Sequence, residues 1–538
     1  MIAIRHIFFL CVLPVLLQAQ QVSDRSVRYN IDDWVTYPVA RFMTSVTYGY
    51  DNAYFGSTGG VLRWNYQHDR WETPYTVSSG LPDDEVRVVA FDYNSAFLWV
   101  ATATGLSYIE QNADDVYVYD YSVIGNGPVT AMGGGKASFW IQTPDGYYRC
   151  DAVGGPFWRG SPQAASADEV RWQGRRPESL PMLYTDGSFH YYQQGWLSDF
   201  HSRQFDILST AQDRYQRMWL ATWGGGAASA NLRTEAIDRL PFGPWIEEIH
   251  ALVWSETGLW VGGRNRQNRP GGITHWNWEE DSWETVEAQY NPRLRSDRVT
   301  AMDGAGRYTW MGTDAGLVAF DEQRRDWRSW SVRDNLWSDE IHHLTLGEAG
   351  LWIATESGLN LMDTSSFSIR QIRDTRLIHR RIWRVEADGA DLWAGTQQGL
   401  YHLDGTTGTW SHIPRPVGMQ YLEVTALSVF GNQLWVGTDG GVMMLDKSTK
   451  VWTTYPAKHF PTQGFIHTLL ADEERVWVGS SEGLLTYFKD ENRWRLFTVE
   501  DGLPDNRVFS ILLDGDYLWL GTGRGLTRFF WNDPMRID

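Results

Sequence analysis

Leu351-Trp352-Ile353-Ala354-Thr355-Glu356-Ser357-Gly358-Leu359 returns as Leu392-Trp393-Ala394-Gly395-Thr396-Gln397-Gln398-Gly399-Leu400, and in shorter form as Leu434-Trp435-Val436-Gly437-Thr438, Val476-Trp477-Val478-Gly479-Ser480 and Leu518-Trp519-Leu520-Gly521-Thr522. From Trp310 onward the Trp-to-Trp steps are 42, 41, 42, 42 and 42 residues. One four-stranded propeller blade takes roughly 40–45 residues. The phrase is also present at Trp260, Trp219 and Trp99, and more loosely at Tyr54, Trp140 and Tyr184, giving twelve copies. The spacing predicts an all-β propeller of about twelve four-stranded repeats spread over residues 27–538.

Within the repeat at Val424, alternation and turn residues mark four strands. These are Val424–Val429, Leu434–Gly437, Val442–Leu445 and Val451–Tyr455. Glycines such as Gly358, Gly399, Gly441, Gly483 and Gly525 stand where a tight hairpin needs positive φ. The recurring Trp is expected to pack between neighbouring blades, burying on the order of 150–250 Å². The last repeat stops after its third strand, Leu526-Thr527-Arg528-Phe529. Asp33-Trp34-Val35-Thr36-Tyr37 near the other end reads like an outer strand such as Arg70-Trp71-Glu72-Thr73-Pro74-Tyr75. The two ends are therefore expected to meet in one blade, which removes an exposed edge. Twelve blades exceed the usual four to eight of a single ring. Two rings of six and six, or seven and five, are predicted, one inserted in the other.

The chain of 538 residues carries 30 Trp and a net charge of −19, without a Pro- or Ser-rich divide. Such a surface repels nucleic acid and anionic lipid. Arg5, the apolar run Ile7 to Leu17 and Ala19 have the pattern of a secretory signal peptide over residues 1–19. No later run is long enough for an integral membrane span in the mature chain. A periplasmic or extracellular location follows. With Cys11 lost alongside the leader, Cys150 has no internal disulfide partner.

Ser79-Gly80-Leu81-Pro82-Asp83-Asp84-Glu85-Val86 and Asp501-Gly502-Leu503-Pro504-Asp505-Asn506-Arg507-Val508 each join an outer strand to the next inner one. With the Trp-centred phrase, they resemble the two-component regulator propeller repeat of bacterial periplasmic sensors. The resemblance runs from about residue 28 and implies paired propellers that bind glycan fragments. In that family such propellers precede a small β-sandwich, a membrane span and a histidine kinase. None of these follows the last blade here, so the expectation is a sensor or envelope accessory subunit. A weaker similarity is to propeller accessory proteins of type IX secretion. Absence of Gly-His and Trp-Asp dipeptides argues against a WD40 array.

Residues opening each inner strand form a column that includes His250, Thr300, His342, Trp383, Thr425, His467 and Phe509. Each follows a Val or Ile, and one step before that stand Glu248, Arg298, Arg381, Glu423 and Arg507. Both sets are expected near one rim of a ring. Arg298, His342, Arg381, His467 and Arg507 are the candidate polar binding residues, with Trp337 and Trp383 as faces for sugar stacking. The histidines come from non-neighbouring repeats without tight ligand spacing, so no metal site is expected. Arg264-Asn265-Arg266-Gln267-Asn268-Arg269-Pro270 lengthens one hairpin, either as a receiver of carboxylate or sulfate or as an inert loop tip. No nucleophile elbow, His-Glu-x-x-His or phosphate loop is present, so neither catalytic residues nor a cofactor are assigned. The reading is an exported noncatalytic propeller that binds a ligand, possibly a glycan, or an envelope protein partner. A polysaccharide lyase or hydrolase and a structural scaffold of a secretion assembly are the alternatives.

Overall fold

The structure is a computed structural model that describes residues 20–21, 31–110, 114–266, 271–416, 423–439, 441–455 and 464–533. The leader over 1–19 lies outside the described residues, as do Gln267–Pro270 of the lengthened hairpin. Eleven antiparallel sheets follow one another among the described residues. In chain order, blades one to four cover residues 43–75, 86–119, 131–160 and 190–240. Blades five to ten cover 248–286, 299–330, 341–371, 382–412, 424–454 and 466–497. Blade eleven takes three strands from 508–530 and its outer strand, β1 (Trp34–Tyr37), from near the start of the chain. Trp34 pairs with Phe529 and Tyr37 with Leu526. Gln20–Gln21 adds a fifth strand to blade two.

The recurring Trp explains why blades stack in order. Trp310 packs on Ile341 and Leu344 of the next blade, and Trp435 on Ile466 and Leu469. Trp352, Trp393, Trp477 and Trp260 do the same to their successors. Trp519 of blade eleven reaches Ile249 and Leu252 of blade five, so blades five to eleven form a closed circle of seven. The Gly-Thr-x-x-Gly phrase has two jobs. The Thr396 hydroxyl donates to the Gly399 carbonyl at 2.9 Å, and Gly399 holds φ at 122°, which tightens the hairpin. A Cβ on Gly437 would stand 2.7 Å from Ile466, so the missing side chain lets the next blade approach.

Blades one to four form a smaller array ordered four, one, two, three. Trp219 packs on Met43 and Val46, Tyr54 on Val86 and Val89, and Trp99 on Met132. The pattern then breaks: the Trp140 indole donates to Asp168 at 2.7 Å instead of packing on a following blade. Residues 161–189 fill that side. Gln173 bridges Met132 on the inner edge of blade three, and Arg176 pairs with Asp206 of blade four at 3.7 Å.

The twelfth repeat, read at Tyr184, does not form a sheet. Tyr184 is 59% exposed and makes only a parallel bridge to Ala236, while the hairpin His190–Tyr192 and Trp196–Ser198 joins blade four as its fifth and sixth strands. That copy lacks the Trp, glycine and threonine that dock one blade on the next, so nothing holds it as a separate blade. Among the described residues the count is eleven, divided seven and four.

The Leu-Pro-Asp-Asp connection has a local cause as well. The Asp84 carboxylate accepts from the Val77 N–H at 2.7 Å and caps the short 3₁₀ turn Val77–Ser79, which ends on Gly80 at φ 104°. Asp339 accepts from Val332 at 2.7 Å and Asn506 from Val499 at 2.9 Å in the equivalent loops. Burial pushes the Asp84 carboxyl up to about 6. An acid whose folded pKa is raised favours folding while protonated, so its cost is absent near pH 4 and complete above about 6. Asp84→Asn keeps the acceptor, as Asn506 already does. Its stability relative to the native protein is expected to rise by about 3 kcal/mol between pH 4 and 7, read by paired chemical unfolding curves. A difference independent of pH would show that Asp84 is ionised at no cost.

Candidate functional site

A β-bulge opens the inner strand of every blade in the ring of seven. The ladder slips by one residue between Ile249 and Ala251, Val299 and Ala301, Ile341 and His343, Ile382 and Arg384, Val424 and Ala426, Ile466 and Thr468, and Val508 and Ser510. The extra residues are His250, Thr300, His342, Trp383, Thr425, His467 and Phe509, the same column that alignment of the repeats yields. A bulge turns its side chain out of the alternating pattern of the strand. The residues two positions before these extra ones run Glu248, Arg298, Glu340, Arg381, Glu423, Phe465 and Arg507 around the ring. Opposite charges therefore neighbour one another around most of this mouth.

Two groups form within it. In the first, Arg381 grips Glu356 with both ends of its guanidinium, Nη2 to Oε1 at 2.6 Å, and His342 Nε2 lies 2.9 Å from Glu356 Oε2. The Arg381 guanidinium, followed by His342, holds the Glu356 carboxyl below its ordinary range. Trp383 stacks under Arg381 at 4.8 Å, touches His342 at 4.8 Å and donates its indole N–H to Glu423 at 2.8 Å. In the second, Glu248 receives Arg507 at 2.7 Å, Arg264 at 2.9 Å and Arg266 at 3.3 Å. The adjacent His250 imidazole and the Arg264 guanidinium hold Glu248 down at about 2, against the opposing effect of burial. Phe509 separates His250 from His467, at 4.3 and 4.8 Å.

Arg298 stands apart from both groups and faces Asp314 at 3.5 Å. Trp337 lies against His379, 5.7 Å between rings, under the Gly358 hairpin and outside the bulge column. Arg264 and Arg266 of the lengthened hairpin are engaged with Glu248 and Asp505. Deeper on the axis, Arg384 crosses to the carbonyls of Thr425 at 3.3 Å and His467 at 2.6 Å, and burial lowers its pKa to about 10. Glu386 beneath it is pushed up to about 7, also by burial.

The ligand atoms of Glu340, His342 and Glu356 lie within 4.8 Å of one another, a spacing a metal ion could use. Arg381 already supplies a positive charge to both Glu356 oxygens, so the centre of that group is electrostatically occupied. The chemistry of the mouth is that of preorganised ion pairs and aromatic faces.

Sequence reasoning missed a second feature, a cleft of about 730 Å³ between blades four and five. It is lined by His201, Arg203, Arg239, Phe242, Trp245 and Tyr290, among others. His201 lies flat on Tyr290, with ring centroids 3.4 Å apart and planes 8° off parallel. These residues sit in the outer strand of blade four and in connections, where the repeat phrase gives no column to align.

The sequence of blade eleven carries a family match. Residues 502–524, its leading loop and first hairpin, match the family described as Two component regulator propeller. That stretch is a two-component regulator propeller repeat. In this regulator-propeller repeat, the matched stretch contains the Gly502 turn, the Phe509 bulge and the Thr522 hairpin. No curated protein sequence matches the chain. Among solved structures, the extracellular domain of a protein described as the hybrid two component system BT4673 from B. thetaiotaomicron is 16% identical with a TM-score of 0.47, covering 92% of this chain and 76% of that one. PorZ, a surface component of the type-IX secretion system of Porphyromonas gingivalis, is 16% identical with a TM-score of 0.45, covering 91% and 74%. YCF48 bound to D1 peptide is 15% identical with a TM-score of 0.42, covering 53% and 94%. No helix among the described residues is long and apolar enough to cross a membrane.

Proposed function

We propose that this chain is an exported, noncatalytic recognition propeller whose bulge face binds a glycan fragment or an envelope protein partner. The observation that carries the reading is the bulge repeated at one register in all seven blades, which turns seven side chains out of the ladder at one mouth. Trp383, held by Arg381 over its ring, by the tilted His342 and through its N–H, offers an aromatic surface, and Trp337 a second outside the bulge column. Arg298, Arg381, Arg507, His342 and His467 orient polar groups around them. The leader pattern over residues 1–19 supports export, and the regulator-propeller repeat supports sensing or accessory work in the envelope.

Incubation of the purified protein with a glycan library, reading both retention and new reducing ends, tests this directly. Retention without cleavage is the expected result. Trp383→Ala should weaken it about tenfold, the equivalent of about 1.4 kcal/mol. New reducing ends would identify a polysaccharide-cleaving enzyme instead. No retention, with no envelope protein captured by the native chain and lost by Trp383→Ala, would remove the recognition role.

A further inference from the structure

Behind the cleft between blades four and five, buried guanidiniums outnumber buried carboxylates. Three arginines converge behind it: Arg41, Arg203 and Arg239. Arg203 is paired, with Asp199 at 2.6 Å and Glu287 at 2.9 Å, and its guanidinium lies over Tyr290 at 4.8 Å. Arg41 stacks on Trp245 at 4.4 Å and, among the described residues, donates only to the Gly224 carbonyl at 3.3 Å. Arg239 donates to the Gly225 carbonyl at 3.1 Å, and no carboxylate among the described residues lies within 4.0 Å of it. Two buried carboxylates thus face three guanidiniums. Burial lowers the pKa of both Arg41 and Arg239, which marks a positive charge short of compensation. Asp186 and Asp238 also line the cleft, but at its exposed lip, where water screens them.

Arg239 lines the open volume together with flat walls. The His201–Tyr290 stack closes one side, and Phe242, Trp245 and Trp283 also line it. A guanidinium fork matches a carboxylate in two parallel hydrogen bonds. Aromatic faces favour a ring held flat beside it. A volume of about 730 Å³ accommodates one or two such rings.

We propose that this cleft is a second binding site, independent of the mouth, for a ring compound bearing a carboxylate, with the carboxylate on Arg239 and the ring against the aromatic walls. The ring is that of an acidic sugar or of an aromatic acid, and the chemistry shared by both is the planar carboxylate next to a flat face.

Saturation-transfer NMR and calorimetry on the full chain, with galacturonate and benzoate as probes and galactose and benzamide as neutral counterparts, test the site. Saturable binding of at least one acid, at least tenfold tighter than its neutral counterpart, is expected, and which acid binds identifies the ring. Arg239→Gln should abolish that preference. Ser188→Trp, at an exposed position on the lip, should block entry whether or not the first variant folds, since exposed substitutions rarely disturb the fold. Trp383→Ala at the mouth should leave acid binding unchanged, which separates this site from the mouth. No saturable acid binding up to millimolar concentration, or acid binding that survives both cleft variants, would overturn the proposal.

Discussion

Replacing Trp34 with alanine should cost about 3–5 kcal/mol of stability, the usual range for removing a buried tryptophan, and should do so by opening the ring. Trp34 is 3% exposed and lies flat on Phe529, with 3.8 Å between centroids and 7° between planes, while Phe497 of blade ten meets its edge at 5.9 Å. The side chain thus joins the outer strand of blade eleven to both its own sheet and the previous blade. Its loss leaves a cavity where two blades meet and weakens the four-residue pairing of Trp34–Tyr37 with Leu526–Phe529. A lowered guanidinium midpoint, together with amide exchange that speeds up first in residues 508–530, is the expected outcome. A midpoint shift equivalent to less than about 1 kcal/mol would mean that the seven blades hold together without the borrowed strand.

Gly502→Val is expected to be nearly as damaging, at about 4 kcal/mol, from two additive causes. Gly502 holds φ at 121°, a region that other residues enter at a cost of about 1–3 kcal/mol. A Cβ there would also stand 2.7 Å from the Trp34 ring, and overpacking of this kind costs about 1–3 kcal/mol. Gly515→Ala supplies the control, because Gly515 has φ 57° and nothing within 4 Å of the position its Cβ would take. That substitution should cost about 1 kcal/mol, the left-handed penalty alone. Equal losses in unfolding experiments on both variants would show that backbone conformation, and not contact with Trp34, explains Gly502.

Most of the architecture was legible because its causes are local and repeated. Each Trp of the ring of seven docks on the next blade, each Gly-Thr-x-x-Gly closes the same hairpin, and Trp34 resembles an outer strand because it occupies one. Tyr184 misled because a loose match to the phrase was counted without the residues that do the docking. The division into seven and four depends on where Trp140 finds its partner, Asp168, and no spacing in the sequence reports that. At the mouth, the column from His250 to Phe509 was visible, but its cause was not. A bulge adds a residue to one strand and not to its neighbour, so an alignment of repeats conceals it. The ion pairs are long-range in sequence, as with Arg507 and Glu248, 259 residues apart. The cleft was hidden for the same reason, since Arg41, Arg203 and Tyr290 meet only once the two arrays are folded against each other.

The borrowed strand also sets a timetable for synthesis. Trp34 leaves the ribosome early, but Phe529 follows almost five hundred residues later, and at roughly 5–20 residues per second the wait lasts about 25–100 s. Throughout that interval the smaller array can assemble, while the larger circle has neither its final sheet nor its seal. An unpaired β edge left open that long invites pairing with another nascent copy. Slow, posttranslational completion beside a holding chaperone therefore suits this connectivity better than cotranslational folding, and a pulse-chase of protease resistance should show residues 248–530 becoming protected together, in one late step.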